Sequence, residues 1–321
     1  MIKTEVQTVA RGSFEPPAPT LKKHKQKWKR REELCATLMA SLPFIGFLLF
    51  TMFPMGLSLV VSFTDLRSYD LSRMEWVGFD NYVAVFKYDL FFTAIKNTAY
   101  FSLSVPINMA ASLYIANLMT KPLIGRKPAR IILFLPTICS GVAVTVMWTW
   151  IYEANYGAIN TLLASIGLPK IPFMQNADWF MPAILFMCLW QSGTNIITMQ
   201  TALTNVNENL IEAARLDGAN EMQVFWKIIF PSITPTLFYI LTMNLITAMQ
   251  EMAIFQVITT NGVGPGYKAV TLTYLLYRMA FTYTATEGLG MGSALAWIIA
   301  IMIILVNRLN FWLSKKWVHY D

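Results

Sequence analysis

The chain has 321 residues, 55% of them apolar and only 13% charged, with 25 Lys and Arg against 18 Asp and Glu and a formal net charge of +7. With a mean hydropathy of +0.48, this composition excludes an ordinary soluble domain and places the chain in a membrane. A crossing helix needs ~20 mostly apolar residues, so the length accommodates about six crossings with short connections and leaves no room for a separate soluble catalytic domain.

In chain order, residues 1–33 read as a basic tail in which Pro16, Pro17 and Pro19 precede a run from Lys22 to Arg31. Such a run suits nucleic acid, but beside a first apolar stretch it is read as the cytosolic flank of a membrane helix. No cleavable secretory signal is expected, because the first apolar run begins only at Leu34. The membrane domain, 34–318, carries candidate spans at Leu34 to Phe63, Phe91 to Met119, Ile131 to Tyr152, Phe180 to Ala202, Thr234 to Ile258 and Gly290 to Leu313. The stretch from Ala269 to Thr282 is short, holds Arg278 and follows the Gly262–Gly266 breaker, so it reads as interfacial or re-entrant. Residues 319–321 form a short C-terminal tail. The predicted architecture is an all-α membrane protein of about six spans. An even number puts both termini on one side, and the distribution of Lys and Arg, including Lys121, Arg126, Lys127, Arg130, Arg215 and Lys227, makes that side cytosolic.

Residues 205–231, between the fourth and fifth spans, read as two short helices and a turn. Asn205 with Glu208 approximates a capping box, Gly218 is placed to end the first helix in a left-handed conformation, Asn220 can cap the second, and Pro231 is expected to stop or kink it. Leu210, Ile211, Leu216, Met222, Phe225, Trp226 and Ile229 give this loop more apolar surface than water tolerates uncovered. Docking to another protein and packing on the chain's own helix ends both account for it.

Several chemistries are absent from the sequence. Cys35, Cys139 and Cys188 fall in different apolar stretches without a CxxC pair, and both histidines, His24 and His319, lie in the tails, so no disulfide framework or metal site is expected. There is no P-loop run, and one acid without a histidine inside the spans does not make an intramembrane enzyme. That acid is Glu251, beside Gln250 in the fifth span, where a carboxylate costs at least ~2.5 kcal/mol and is expected to face a cavity or a partner. The fourth span carries Trp190, Gln191, Ser192, Thr194 and Asn195 together. These residues suit a polar passage between the fourth and fifth helices, and equally suit hydrogen bonding between helices.

Glu212-Ala213-Ala214, then Gly218, Ile228 and Phe230-Pro231 at fixed spacing, resembles the EAA loop of permease subunits of binding-protein-dependent ABC importers, with Phe230 where the pattern usually carries leucine. The resemblance implies a type I ABC importer permease fold, with a coupling helix seated in a groove of an ATP-hydrolysing subunit through Glu212, Ala213, Ala214, Arg215, Asp217, Gly218, Ile228 and Pro231. Further segments are similar to the carbohydrate branch: Gly78 to Tyr82 with Asn97-Thr98, Arg126 to Pro136 leading to Trp148, Gly157 to Asn160 with Gly167, and Gly262 to Gly266 followed by Tyr277, Ala280 and Phe281. Val263 interrupts the adjacent glycines usual in the last of these. The implied partners are a second homologous permease, an ATPase dimer and an extracytoplasmic sugar-binding protein, in a bacterial cytoplasmic membrane with both termini cytosolic. No cofactor is expected on this chain, with ATP and Mg held by the ATPase. The implied cargo is a di- or oligosaccharide, for whose ring and hydroxyls the Trp190 to Asn195 set is chemically suited. Another solute such as glycerol phosphate is the alternative cargo, and ion-coupled transport through Glu251 the alternative mechanism.

Overall fold

The computed structural model describes residues 20–67, 74–121, 125–259, 262–282 and 287–319, with side chains from residue 32 onward. The start of the predicted tail, 1–19, lies outside them. Contacts divide the chain into two compact units, Met1–Ser58 and Leu59–Asp321.

In the first unit the basic run is helical from its start. Helix α1 (Thr20–Phe47) passes through a π turn at Leu48–Met52 into α2 (Phe53–Val61). Lys, Arg and Gln are good helix formers, and the adjoining span supplies the nucleus they lack alone. The π turn has a local cause. Pro54 cannot donate to a carbonyl, and its ring would strike that of Phe50 in a regular helix; widening the preceding turn lets the Phe53 amide bond Leu48 O instead. Phe44, Phe50 and Phe53 are exposed, so this apolar helix presents its side chains outward, as a lipid-facing helix does.

The second unit contains α3 (Asp80–Lys87), then α4 (Phe91–Ser102) and α5 (Ser104–Thr120), which form one crossing-length helix. Helices α6 (Arg126–Ile138) and α7 (Gly141–Ile151) replace the straight third span of the sequence reading, with a bend of 104° between them. Cys139 and Ser140 are both extended there, which interrupts the helical ladder. After α8 (Ala158–Ser165), α9 (Ala177–Trp190) and α10 (Gly193–Thr204) replace the straight fourth span, bent by 50°. Helix α11 (Glu208–Leu216) precedes α12 (Glu221–Val224), which runs through a π turn at Phe225–Ile229 into α13 (Phe230–Met249). The fifth span also differs from expectation: the continuous helix is Glu221–Met249, and a break separates it from α14 (Ala253–Ile258). Then come α15 (Leu272–Tyr277), a π turn at Arg278–Thr282 and α16 (Gly288–Ser314). Among the described residues four helices are long and apolar enough to cross a membrane, or up to six if each bent pair is one span.

The segments singled out in the sequence prove to be corner pieces. Asn81 donates to Ser62 O and Thr64 O (3.0 and 2.8 Å), while Gly290 lies so close to the Thr64 carbonyl that a Cβ would overlap it. Asn160, fully buried, bridges Glu153 O and Ile171 O and accepts from the Ile171 amide. The Glu153 carboxylate accepts from the amides of Tyr156 and Asn155, which hold it below the usual carboxylate range. Asn97 and the glycine-rich stretch meet: its amide donates to Tyr267 O and Val270 O (2.8 and 2.9 Å), and Thr98 Oγ1 accepts from the Leu272 amide. The stretch after the Val263 interruption is therefore held by α4, with Gly264 and Gly266 at positive φ. In the stretch Ala269 to Thr282, residues 269–280 are largely buried, packed against α4 and α16, while Phe281 and Thr282 are exposed. Ala116, Ile196, Met199, Leu203, Ile233 and Leu237 form a buried cluster joining α5, α10 and α13, the helices that frame the site. In lipid such contacts act through close packing rather than water exclusion.

Candidate coupling elbow and inter-helix cavity

The elbow is set by its caps. Asn205 does not start α11; it ends α10, its amide bonding Thr201 O and Ala202 O. Asn207 is the cap instead, its extended backbone letting Oδ1 accept from the Asn209 amide at 3.0 Å. Gly218, at φ +83°, turns the chain out of α11, and the Ala219 amide reaches back to Ala214 O. Asn220 then forms a reciprocal box with Gln223: the Gln223 amide donates to Asn220 Oδ1 (2.9 Å) and the Asn220 amide to Gln223 Oε1 (2.8 Å). A two-pronged ion pair, Arg215 Nε to Glu221 Oε1 (3.0 Å) and Nη2 to Oε2 (3.2 Å), spans the turn. Glu221 begins the long fifth helix, so the elbow is braced against the element that leads into the bundle.

Pro231 does not stop that helix. The π turn before it lets the Phe230 amide bond Phe225 O and draws the Lys227 carbonyl away from the proline ring. Nothing in α11 is buried: Glu212 and Ala213 are exposed, Ala214 is half-buried, and Leu216 is 89% exposed. Met222 and Trp226 are exposed nearby. Ala214, Asp217, Gly218 and Ile228 line a shallow depression of about 300 Å³ at the turn. Of the residues singled out in this loop, Glu212, Ala213, Arg215, Asp217 and Gly218 are exposed, while Ala214, Ile228 and Pro231 are half-buried.

The second group behaves differently. A cavity of about 210 Å³ lies among α4, α5, α9, α10, α13 and α14, and its lining includes Ser104, Asn108, Gln191, Asn195, Asn244, Thr247 and Glu251. Of the residues named from the sequence, Gln191, Asn195 and Glu251 meet there. Trp190, Ser192, Thr194 and Gln250 do not line it. Trp190 stacks edge-on against Trp148 in an apolar recess, and Ser192 is buried with Oγ donating to Leu189 O. Thr194 and Gln250 are exposed, Gln250 as the residue ending α13. Helical periodicity accounts for much of this: at ~100° per residue Gln191 and Asn195 fall on one side, while Trp190 and Thr194 fall on the next and Ser192 lies roughly opposite Trp190.

Asn108 and Asn244 were missed. Asn108 is central, donating to Cys188 O (3.0 Å) and accepting from Asn195 Nδ2 (3.2 Å) and Ser112 Oγ (3.1 Å). Their signal was an amide inside an apolar span, of the kind already weighed at Gln191, Asn195 and Gln250. Glu251 sits not within a helix but in the break after α13. Its Oε1 accepts from the Ile254 amide at 3.0 Å, and its carbonyl accepts from Thr271 Oγ1 at 3.2 Å. Thr273 Oγ1 likewise holds Met249 O at 3.0 Å.

Helices long and apolar enough to cross a membrane, an exposed elbow between two of them and a polar cavity that those two help to line are the features of a membrane permease subunit. The chain belongs to the family described as binding-protein-dependent transport system inner membrane component, which matches residues 23–319. It is 34% identical over 297 residues to the "Probable ABC transporter permease protein YesP" of Bacillus subtilis (strain 168), covering 91% of this chain and 94% of that one. It is 29% identical over 277 residues to the sn-glycerol-3-phosphate transport system permease protein UgpA of Yersinia enterocolitica serotype O:8, covering 85% and 91%. Among solved structures, a chain of a bacterial ABC transporter involved in import of the acidic polysaccharide alginate superposes with a TM-score of 0.78 at 25% identity, over 92% of this chain and 99% of that chain. The protein is therefore a multi-pass inner-membrane permease of a binding-protein-dependent ABC importer, a transport subunit and not an enzyme.

Proposed function

We propose that this subunit passes a saccharide or related polyol across the membrane by alternating access, with both termini cytosolic. In this reading α11 and the turn at Gly218 seat in a separate ATPase dimer, and a second, homologous permease completes the passage. An extracytoplasmic binding protein delivers the cargo. ATP and Mg belong to the ATPase. The observation that carries the reading is the elbow: a doubly capped, ion-paired turn on which Ala213, Leu216 and Trp226 are all exposed. A self-sufficient carrier has no use for such a surface. The alginate relative supports a saccharide cargo, as does a cavity rich in amides and hydroxyls, which pair with sugar hydroxyls.

The test is reconstitution. The purified chain alone in liposomes is expected to move no labelled mono- or oligosaccharide. Addition of its permease partner, ATPase, binding protein and ATP should confer uptake. Uptake by the chain alone under a proton or sodium gradient would overturn the reading in favour of an ion-coupled carrier.

A further inference from the structure

We infer that Glu251 is a charge filter, so that this subunit admits neutral or positively charged saccharides and rejects cargo bearing phosphate or carboxylate. The inference rests on the reading of the cavity as passage lining. No Lys, Arg or His is among the residues lining the cavity, and Glu251 is the lining residue with a carboxyl group. The carboxylate is held in place rather than free to swing away. Oε1 is tied to the Ile254 amide, while Thr271 and Thr273 fix the backbone on either side of the break. Oε2 has no hydrogen-bond partner among the described residues.

The remaining lining suits an uncharged solute. Asn108 and Asn195 are tied to each other and to Cys188 O, so they shape the wall. Gln191 and Asn244 make no side-chain hydrogen bond among the described residues, leaving both donor and acceptor for hydroxyl groups. A sugar hydroxyl gains by donating to a fixed carboxylate. An anion meets repulsion with no cation to offset its lost hydration. Two like unit charges ~5 Å apart at an effective dielectric of ~20 disfavour occupancy by roughly two orders of magnitude. Glycerol phosphate and the acidic polysaccharide alginate, the solutes named for two relatives, are of the class that this cavity would turn away.

The experiment reads the potential inside the cavity without needing the natural cargo. In the whole importer in membrane vesicles, with Cys35, Cys139 and Cys188 replaced by alanine, Thr247→Cys places a thiol in the lining. Its modification rates are measured with anionic methanethiosulfonate ethylsulfonate and cationic methanethiosulfonate ethyltrimethylammonium, at rest and in the vanadate-trapped state. A cysteine at the exposed Lys170 provides the reference ratio. The cation-to-anion ratio at Thr247→Cys is expected to exceed the reference by at least ~10-fold, to fall to the reference in Glu251→Gln and to persist in Glu251→Asp. Reaction with both reagents at a ratio that Glu251→Gln leaves unchanged overturns the filter while leaving the passage intact. Failure of both reagents to react in both states overturns the passage reading, and the filter with it.

Discussion

Gly218 decides the shape of the elbow. At φ +83° it occupies backbone space that costs an ordinary L residue ~1–2 kcal/mol, yet nothing lies within 4 Å of where its Cβ would be. Substitution therefore strains the turn without a clash. Gly218→Val is expected to lower solute uptake per ATP hydrolysed at least severalfold while the subunit still inserts and retains its ATPase. Gly218→Asn, which tolerates the left-handed region, should stay near wild type. Uptake and hydrolysis measured together in vesicles check both, and normal coupling in Gly218→Val would remove this turn from power transmission. The two predicted caps of the elbow fared differently for a residue-level reason. Asn220 was legible because the box with Gln223 is a local pattern. Asn207 was displaced in the reading by Asn205, since only the observed length of α10 shows that Asn205 is consumed in ending it.

Among the elements, two of the π turns share one design: Leu48–Met52 precedes Phe53-Pro54, and Phe225–Ile229 precedes Phe230-Pro231. Each absorbs a proline without breaking the helix, because the wider turn moves the obstructing carbonyl aside. The second sets the rotation of the elbow relative to α13, as one residue corresponds to ~100° of helical turn. Pro231→Ala removes the obstruction and is expected to let the turn revert to a regular helix, rotating α11 away from its native register. Spin-label distances between Ala213 and Thr242 should change, and transport should fall with ATPase association retained. An unchanged distance would show that other packing holds the π turn. The break at 250–252 makes the same point in reverse, because no proline or glycine marks it. It is held from outside by Thr271 and Thr273, and a sequence pattern carries no trace of that.

Across the molecule, those threonines belong to a longer chain of contacts. Asn97 and Thr98 on α4 hold the backbone at 267–272, and Thr271 and Thr273 hold the break that presents Glu251. Asn97→Ala would remove the side-chain donor to the buried Val270 carbonyl, at about 1–3 kcal/mol, and leave Tyr267 O with the Val270 amide alone. The expected result is a lower unfolding midpoint in detergent and faster proteolysis near residue 267, with ATPase copurification unaffected because the elbow does not share these contacts. Equal thermal stability of Asn97→Ala and wild type would sever the link between the glycine-rich stretch and Glu251.

The membrane class, the approximate positions of the spans and the outline of the elbow followed from sequence by itself, because each rests on local composition and spacing: apolar runs near bilayer length, a turn glycine, a side-chain cap. The resemblance carried by Glu212 to Pro231 was legible for the same reason, a fixed order within a short stretch. Tertiary structure alone decided where two spans bend, why the fifth helix ends before Glu251 and which polar side chains converge. Gln191 and Asn195 meet Asn108, Asn244 and Glu251, whereas Trp190, Ser192 and Thr194 turn elsewhere. A cavity joins residues far apart in the chain, and its contents depend on helix rotation and bending, which packing between helices determines.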